Sequence, residues 1–172
     1  MAMTRALVPK RFIKGQFLVN AGEVNGDLFY IYQGLVRFVY NTEDGREFNK
    51  SFAAENGFIG CLRSMLTQQP CRFAIQALEP TQTLALTSLA RESLWQNYPE
   101  WERLGRLLAE RLALKKEERE AQFLLDSVEQ RYQQFLAEHP SLSERIAQYH
   151  IASYLGITDV ALSRIRKRLN TD

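Results

Sequence analysis

The segment IASYLGITDVALSRIRKRL, Ile151–Leu169, sets a glycine between two short apolar-periodic runs and crowds the second with arginine. Two helices crossing steeply over a short turn make these demands together. The first helix needs a small residue where the second passes over it, and Ala152 stands there. The turn needs a residue tolerant of positive φ, supplied by Gly156. The second helix needs a cap, Thr158, with Asp159 favourable at the positive end of its dipole. It also needs a buried face. Leu162, Ile165 and Leu169 recur at helical spacing, and Ile151, Leu155 and Ile157 are their partners. The segment therefore reads as a helix-turn-helix.

The opposite face of the second helix carries Asp159, Val160, Ser163, Arg164 and Lys167. Residues 162–169 hold Arg164, Arg166, Lys167 and Arg168 and no acid. That is the charge sign a DNA backbone demands. Arginine is also the usual bidentate reader of guanine in the major groove. Arg166 and Arg168 are accounted for as cations at the negative end of the helix dipole. Ser163 and Arg164, just past the first turn, are the better candidates for base or phosphate contact.

Upstream, DSVEQRYQQFLAEHP (Asp126–Pro140) predicts a helix. Ser127 with Gln130 fits a capping box, with Asp126 and Glu129 as the alternative. His139-Pro140 ends it. Ser141 then opens a short helix through about Tyr149. From Leu89 to Leu125 the pattern reads as one long helix, with Trp101, Leu104, Leu107, Leu108, Leu112 and Leu114 near helical spacing. Those leucines fit packing onto a neighbouring domain on some turns and a two-helix seam on others. Lys115 and Arg119 fall where a seam wants apolar residues, so it should weaken there.

From Phe12 to about Thr87 the texture is β. LFYIYQGLVRFVY (Leu28–Tyr40) is dense in aromatic and β-branched residues. NTEDGRE (Asn41–Glu47) is a hairpin signal centred on Asp44-Gly45. RFAIQAL (Arg72–Leu78) and TLALT (Thr83–Thr87) read as further strands, whereas residues 1–9 show no clear pattern. Several short strands with regular turns predict a roll or sandwich.

The 172 residues are 45% hydrophobic, enough for a real core, and the net charge is only +2, so any basic surface is local. No apolar run approaches membrane-spanning length and no charged-then-apolar leader opens the chain. A cytoplasmic location is expected. Cys61 and Cys71 do not make a disulfide framework. They are too few for an iron–sulfur centre. As free cysteines they read as small buried hydrophobes, with redox pairing of the two thiols as the sharper alternative. Arg37, Arg46, Arg63 and Arg72 read as scattered surface cations, with binding of an anionic effector as the sharper alternative. A metal enzyme on a β roll needs histidines from the roll. The only histidines, His139 and His150, lie outside it. No catalytic residue, cofactor or metal site is expected, so an enzyme is not expected.

The chain resembles, over roughly residues 10–170, the bacterial transcription regulators typified by the cyclic AMP receptor protein and the fumarate–nitrate regulator, the CRP/FNR family. KGQFLVNAGEVNGDLFYIYQGLVRFVY (Lys14–Tyr40) resembles that family's β-roll opening. ENGFIGCL (Glu55–Leu62) resembles the start of its ligand cassette, and RYQQFLAEHPSLSERIAQYHIASYLGITDVALSRIRK (Arg131–Lys167) its DNA-binding domain. The implied fold class is α+β. A β-roll resembling a cyclic nucleotide-binding jelly-roll spans residues 10–88, a long dimerisation helix 89–125, and a helix-turn-helix domain without an evident wing 126–172. The implied function is a homodimeric DNA-binding transcription regulator. Its partners would be double-stranded DNA carrying an inverted repeat, a second copy, RNA polymerase and an unidentified small-molecule effector, with no membrane. The implied DNA contacts are Thr158, Asp159, Val160, Ser163, Arg164 and Lys167. The implied effector pocket is Gly60, Cys61, Leu62, Cys71 and Arg72.

Four departures from the family pattern bear on this reading. Where the family carries a glutamate for the ribose hydroxyl and an arginine for the cyclic phosphate, this chain has Cys61 and Cys71. A buried phosphate without a paired cation is costly, so cyclic AMP is not the expected effector. Arg72 is one place off, which in a strand means the opposite face. Val160 stands where many members have a glutamate, so the preferred DNA sequence should differ. No wing follows before Asp172, and the usual helix before the roll is absent or very short. A different class of function is a small-molecule or cyclic-nucleotide binding module whose helical tail contacts protein rather than DNA. Salt-sensitive DNA binding separates the two.

Overall fold

Alternating apolar residues along short strands build two four-stranded antiparallel sheets in this computed structural model, which describes residues 7–169. One sheet is ordered β1-β8-β3-β6, from Leu7–Phe12, Thr81–Leu86, Leu28–Gln33 and Phe58–Ile59. The other is ordered β2-β7-β4-β5, from Phe17–Val19, Ala74–Ala77, Val36–Asn41 and Glu47–Ala53. Phe29 and Ile31 of β3 point inward to meet Val36 and Phe38 of β4, with Ile59, Ile75 and Ala85 closing one buried cluster. The architecture is α+β, a β-sandwich followed by helices.

The chain passes from one sheet to the other at Gln33-Gly34-Leu35. Gly34 has φ +110°, and a Cβ there would lie 2.5 Å from the Thr81 hydroxyl and 2.7 Å from its Cα. Only glycine fits that approach. β1 went unread in the sequence because Pro9 and its charged neighbours break any β pattern. It is an edge strand, the one place in a sheet where proline is tolerated. The strand read over Arg72–Leu78 is shorter, Ala74–Ala77. Residues 1–6, on which the expectation of an absent or very short helix before the roll falls, and the wing-less end at 170–172 lie outside the described residues.

The helices are α1 (Leu62–Thr67), α2 (Ser88–Asn97), α3 (Pro99–Leu125), α4 (Val128–Glu138), α5 (Gln148–Leu155) and α6 (Asp159–Leu169). The single helix expected over 89–125 is two. Tyr98 is extended (φ −138°, ψ 103°) because Pro99 disfavours helix in the residue before it, and Pro99 then starts α3 at the first-turn position it suits. Ser127 and Gln130 form the capping box of α4. The helix expected from Ser141 is instead a run of turns over residues 140–146. Tertiary anchors override helix there. Leu142 and Ile146 are buried, and the Arg145 guanidinium bonds both Glu55 carboxylate oxygens at 3.0 Å and also pairs with Glu79.

α3 runs 27 residues without one buried side chain. The helices after it are different. Phe135, Tyr154, Leu155, Leu162 and Ile165 share one cluster with Leu35 and Phe52 of the sandwich. Phe52 stacks its ring against Phe135 and Tyr154, with centroids 6.2 and 5.6 Å away. Phe52→Ala should therefore cost about 3–5 kcal/mol in urea denaturation. A loss under about 1 kcal/mol would show that the helices do not dock on β5 in solution.

Candidate nucleic-acid interface

The Gly156 turn is held by backbone bonds that a left-handed residue permits. Gly156 has φ +76°, its N–H donates to Ser153 O at 3.2 Å, and Ile157 N–H donates to Ala152 O at 3.0 Å. Ala152 is fully buried, as the crossing requires. Thr158 caps α6, its hydroxyl accepting from Ala161 N–H at 3.3 Å. Leu162 and Ile165 anchor α6 in the core.

This leaves the other face of α6 in solvent. Asp159, Val160, Ser163, Arg164 and Lys167 line one open groove with Gln148 and Tyr149 of α5. Five of the six residues singled out from the sequence therefore share one concave surface, and Thr158 sits at its capped end. Tyr149 was not foreseen. It is exposed and stacked on His150, with ring centroids 4.0 Å apart. Arg168 pairs with Glu129, and Arg166 lies half-buried beside Leu162, so both point away from this groove. Among the described residues Arg164 has no ion-pair partner.

The far side of α5 faces β4 and β5 through a buried polar cluster. Arg37 Nη1 lies 3.3 Å and Asn49 Nδ2 3.1 Å from His150 Nδ1. An arginine can only donate, so Nδ1 accepts and the imidazole is neutral. Asn49 Nδ2 also donates to His150 O at 3.0 Å, and Asn49 N–H donates to Ser153 Oγ at 3.0 Å. The Ser153 hydroxyl donates to Glu47 O at 3.1 Å. Arg37 completes its bonding with Glu47 at 2.6 Å and Gln76 at 2.8 Å. The expectation of a surface cation at Arg37 is thus overturned, because its strand faces α5 rather than water. Burial, with the Arg37 charge beside it, pushes the His150 pKa down to about 4. Hydrogen bonds from Arg145, against the opposing effect of burial, hold Glu55 down to about 2.

The cassette residues divide. Cys61 and Cys71 are both free thiols, buried in the apolar core of the sandwich. Leu62 and Arg72, beside them in the chain, are exposed. At Gly60 a Cβ would meet the Asp27 carbonyl at 2.8 Å, so the backbone passes close beneath β3 there. Lys50 of β5, which nothing in the sequence marked out, lies over the Phe73 ring at 4.3 Å, and burial lowers its ammonium pKa to about 8.

Residues 9–98, more than half of the chain, match the cyclic nucleotide-binding domain family. The chain belongs to that family. No curated relative matches it in sequence. Among solved structures, this cyclic nucleotide-binding domain protein resembles FixK2 from Bradyrhizobium japonicum at TM-score 0.83 and 18% identity, covering 96% of this chain and 85% of that one. It resembles the c-di-GMP responsive global regulator CLP of Xanthomonas campestris at 0.78 and 17%, covering 99% and 90%. It also resembles a CRP/FNR family transcriptional regulator, described as putative, from Eubacterium rectale at 0.73 and 19%, covering 99% and 81%. These likenesses show the fold of CRP/FNR-type regulators along nearly the whole chain. No helix among the described residues is long and apolar enough to cross a membrane.

The His150 pair of pKa values sets a pH dependence. The folded value is below the unfolded one, so the unfolded chain binds more protons between about pH 4 and 6.5 and stability falls as pH drops through that window. From pH 7 to 5 the His150 contribution should fall by about 2 kcal/mol. His150→Asn should lose most of that slope in urea melts at stepped pH, and an unchanged slope would place the effect elsewhere.

Proposed function

We propose that the chain is a homodimeric DNA-binding transcription regulator of the CRP/FNR type. The observation that carries this is the exposed face of α6. Thr158, Asp159, Val160, Ser163, Arg164 and Lys167 lie along a helix whose opposite side is locked in the core, at the edge of an open groove. A helix held in this way enters a major groove with its first turns toward base edges. Arg164 is placed for guanine and Val160 for a thymine methyl group. Lys167, one turn on, suits a phosphate.

In this reading residues 10–88 are the effector domain, 89–125 the dimerisation segment and 126–172 a helix-turn-helix domain. α3 supports the second part. Leu107, Leu112 and Leu114 stay exposed along a helix with no buried residue, and a second α3 would cover them. Dimerisation would then set two copies of α6 on half-sites about 34 Å apart, reading an inverted repeat. The effector site is assigned to the cassette around Gly60, Cys61, Leu62, Cys71 and Arg72. Thiols in place of a carboxylate and a guanidinium favour an effector other than cyclic AMP.

Selection of bound duplexes from a random library tests the reading. The wild type should enrich an inverted repeat. Arg164→Ala should bind that repeat about 10- to 100-fold more weakly and lose discrimination at one position of each half-site. Failure to enrich any sequence at low salt would point to a protein partner for the helical tail.

A further inference from the structure

The last turn of a helix leaves carbonyls with no partner inside it. At the end of α5 the Gly156 turn settles two of them, since Gly156 N–H donates to Ser153 O and Ile157 N–H to Ala152 O. Tyr154 O and Leu155 O remain, both on buried residues. Guanidiniums from two other helices take them. Arg119 of α3 donates to Tyr154 O, and Arg131 of α4 donates to Leu155 O at 3.4 Å. Positive charge at that end also suits the α5 dipole.

The same two guanidiniums lie over one ring. Their central carbons are 4.2 Å (Arg119) and 4.9 Å (Arg131) from the Phe123 centroid. A Cβ on Gly156 would meet Cε1 of Phe123 at 3.4 Å, so the edge of that ring rests against the turn before α6. Phe123 is exposed, and burial in a core does not account for it. Between α3 and α4 stand only Asp126 and Ser127, both extended (ψ 144° and 162°). An extended two-residue joint by itself leaves the angle between two helices open. Arg131 braces it, Nη1 donating to Asp126 O at 3.1 Å, and Gln134 Nε2 donates to Asp126 Oδ2 at 3.1 Å. α3 buries no side chain, and its first half packs on α2, where Trp95 lies against Gly105. Arg119 and Phe123 hold its far end to the turn.

We propose that Arg119, Phe123 and Arg131 form a clasp that fixes the angle between α3 and α6, and thereby make the chain selective for the spacing of two DNA half-sites. None of the three lines the groove of Asp159, Val160, Ser163, Arg164 and Lys167, so they are positioning residues. Under the function proposed above, paired α3 helices set the dimer axis and each α6 reads one half-site. The clasp is the link between the two. One base pair added between half-sites moves one of them by about 3.4 Å along the duplex and turns it by about 35°. Two rigidly held reading helices cannot follow that shift, whereas helices on a loose joint can. The meaning for DNA rests on the proposed function, but the clasp itself does not.

Two measurements on the full chain test this. The first needs no DNA. Nitroxide labels at Glu118→Cys of α3 and Ser163→Cys of α6, in chains diluted with unlabelled chain, report the distance between these helices by pulsed electron resonance. The chain with only its buried native thiols is the blank. The parent should give one narrow distance, and Arg119→Gln with Phe123→Ala should spread it into a broad distribution. Arg119→Lys alone, which keeps a cation and a donor, should stay narrow. The second measures affinity for the selected repeat with its spacing lengthened or shortened by one base pair. The wild type should lose about tenfold or more either way, and the double variant less than about threefold, with single half-sites bound alike by both. A distance as narrow in the double variant as in the parent would overturn the proposal. So would an unchanged spacing preference, or an equal loss on every duplex. A wild type that binds no duplex overturns the regulator reading instead, and the distances then decide the clasp by themselves.

Discussion

Strand β5 is the constraint on which the rest of this molecule depends. It is the edge of its sheet, and an edge strand offers an uncovered face and unpaired backbone groups. Here α5 covers it. Asn49 and Phe52 reach one way into the helices, the first as a polar clamp on His150 and Ser153, the second as an aromatic plug against Phe135 and Tyr154. Lys50 reaches the other way, over the Phe38 and Phe73 rings. The pairing of β5 with β4 slips at Lys50, between Phe38 opposite Ser51 and Val39 opposite Asn49, so Asn49 and Phe52, three positions apart, both face the helices while Lys50 faces the sandwich.

The polar half of this contact is costly to assemble and costly to break. Arg37 and His150 are both buried, and the guanidinium donates to the neutral imidazole. Removing one partner leaves a buried charge or dipole unmatched, which is worse than an apolar contact would be. Such a cluster favours one arrangement of sandwich and helices sharply over its neighbours. Arg145, gripping Glu55 and Glu79 beside the Gly34 crossover, fixes the same arrangement from a second point. At a third, the Arg119 guanidinium lies 3.7 Å over the Tyr154 ring, tying α3 to the end of α5.

Much of this was legible in the residues. The Ala152–Gly156–Thr158 pattern gave the crossing, the turn and the cap because each role admits few residue types. Ser127 and Gln130 gave the start of α4 for the same reason. What the sequence hid was decided by distant partners. Pro99 broke a helix whose leucines run on without regard to it. Ser141–Ile146 stayed in turns because Arg145 found two glutamates far away in the chain. Arg37 lay in an aromatic strand that looked solvent-facing, and only the docking of α5 buries it. Lys50 carries no local signature at all. Cys61 and Cys71 read as small buried hydrophobes, and both are buried in the sandwich core.

The DNA-binding face proposed for α6 sits on a scaffold fixed by β5. Titration of generic duplex DNA at a series of salt concentrations tests it without knowledge of any operator. The affinity should fall steeply and linearly with the logarithm of salt concentration, as release of counterions requires. Lys167→Gln should make that slope shallower by about one for each phosphate that the lysine neutralises in the wild type. Absence of binding at low salt, or a slope that this variant leaves unchanged, would contradict the account.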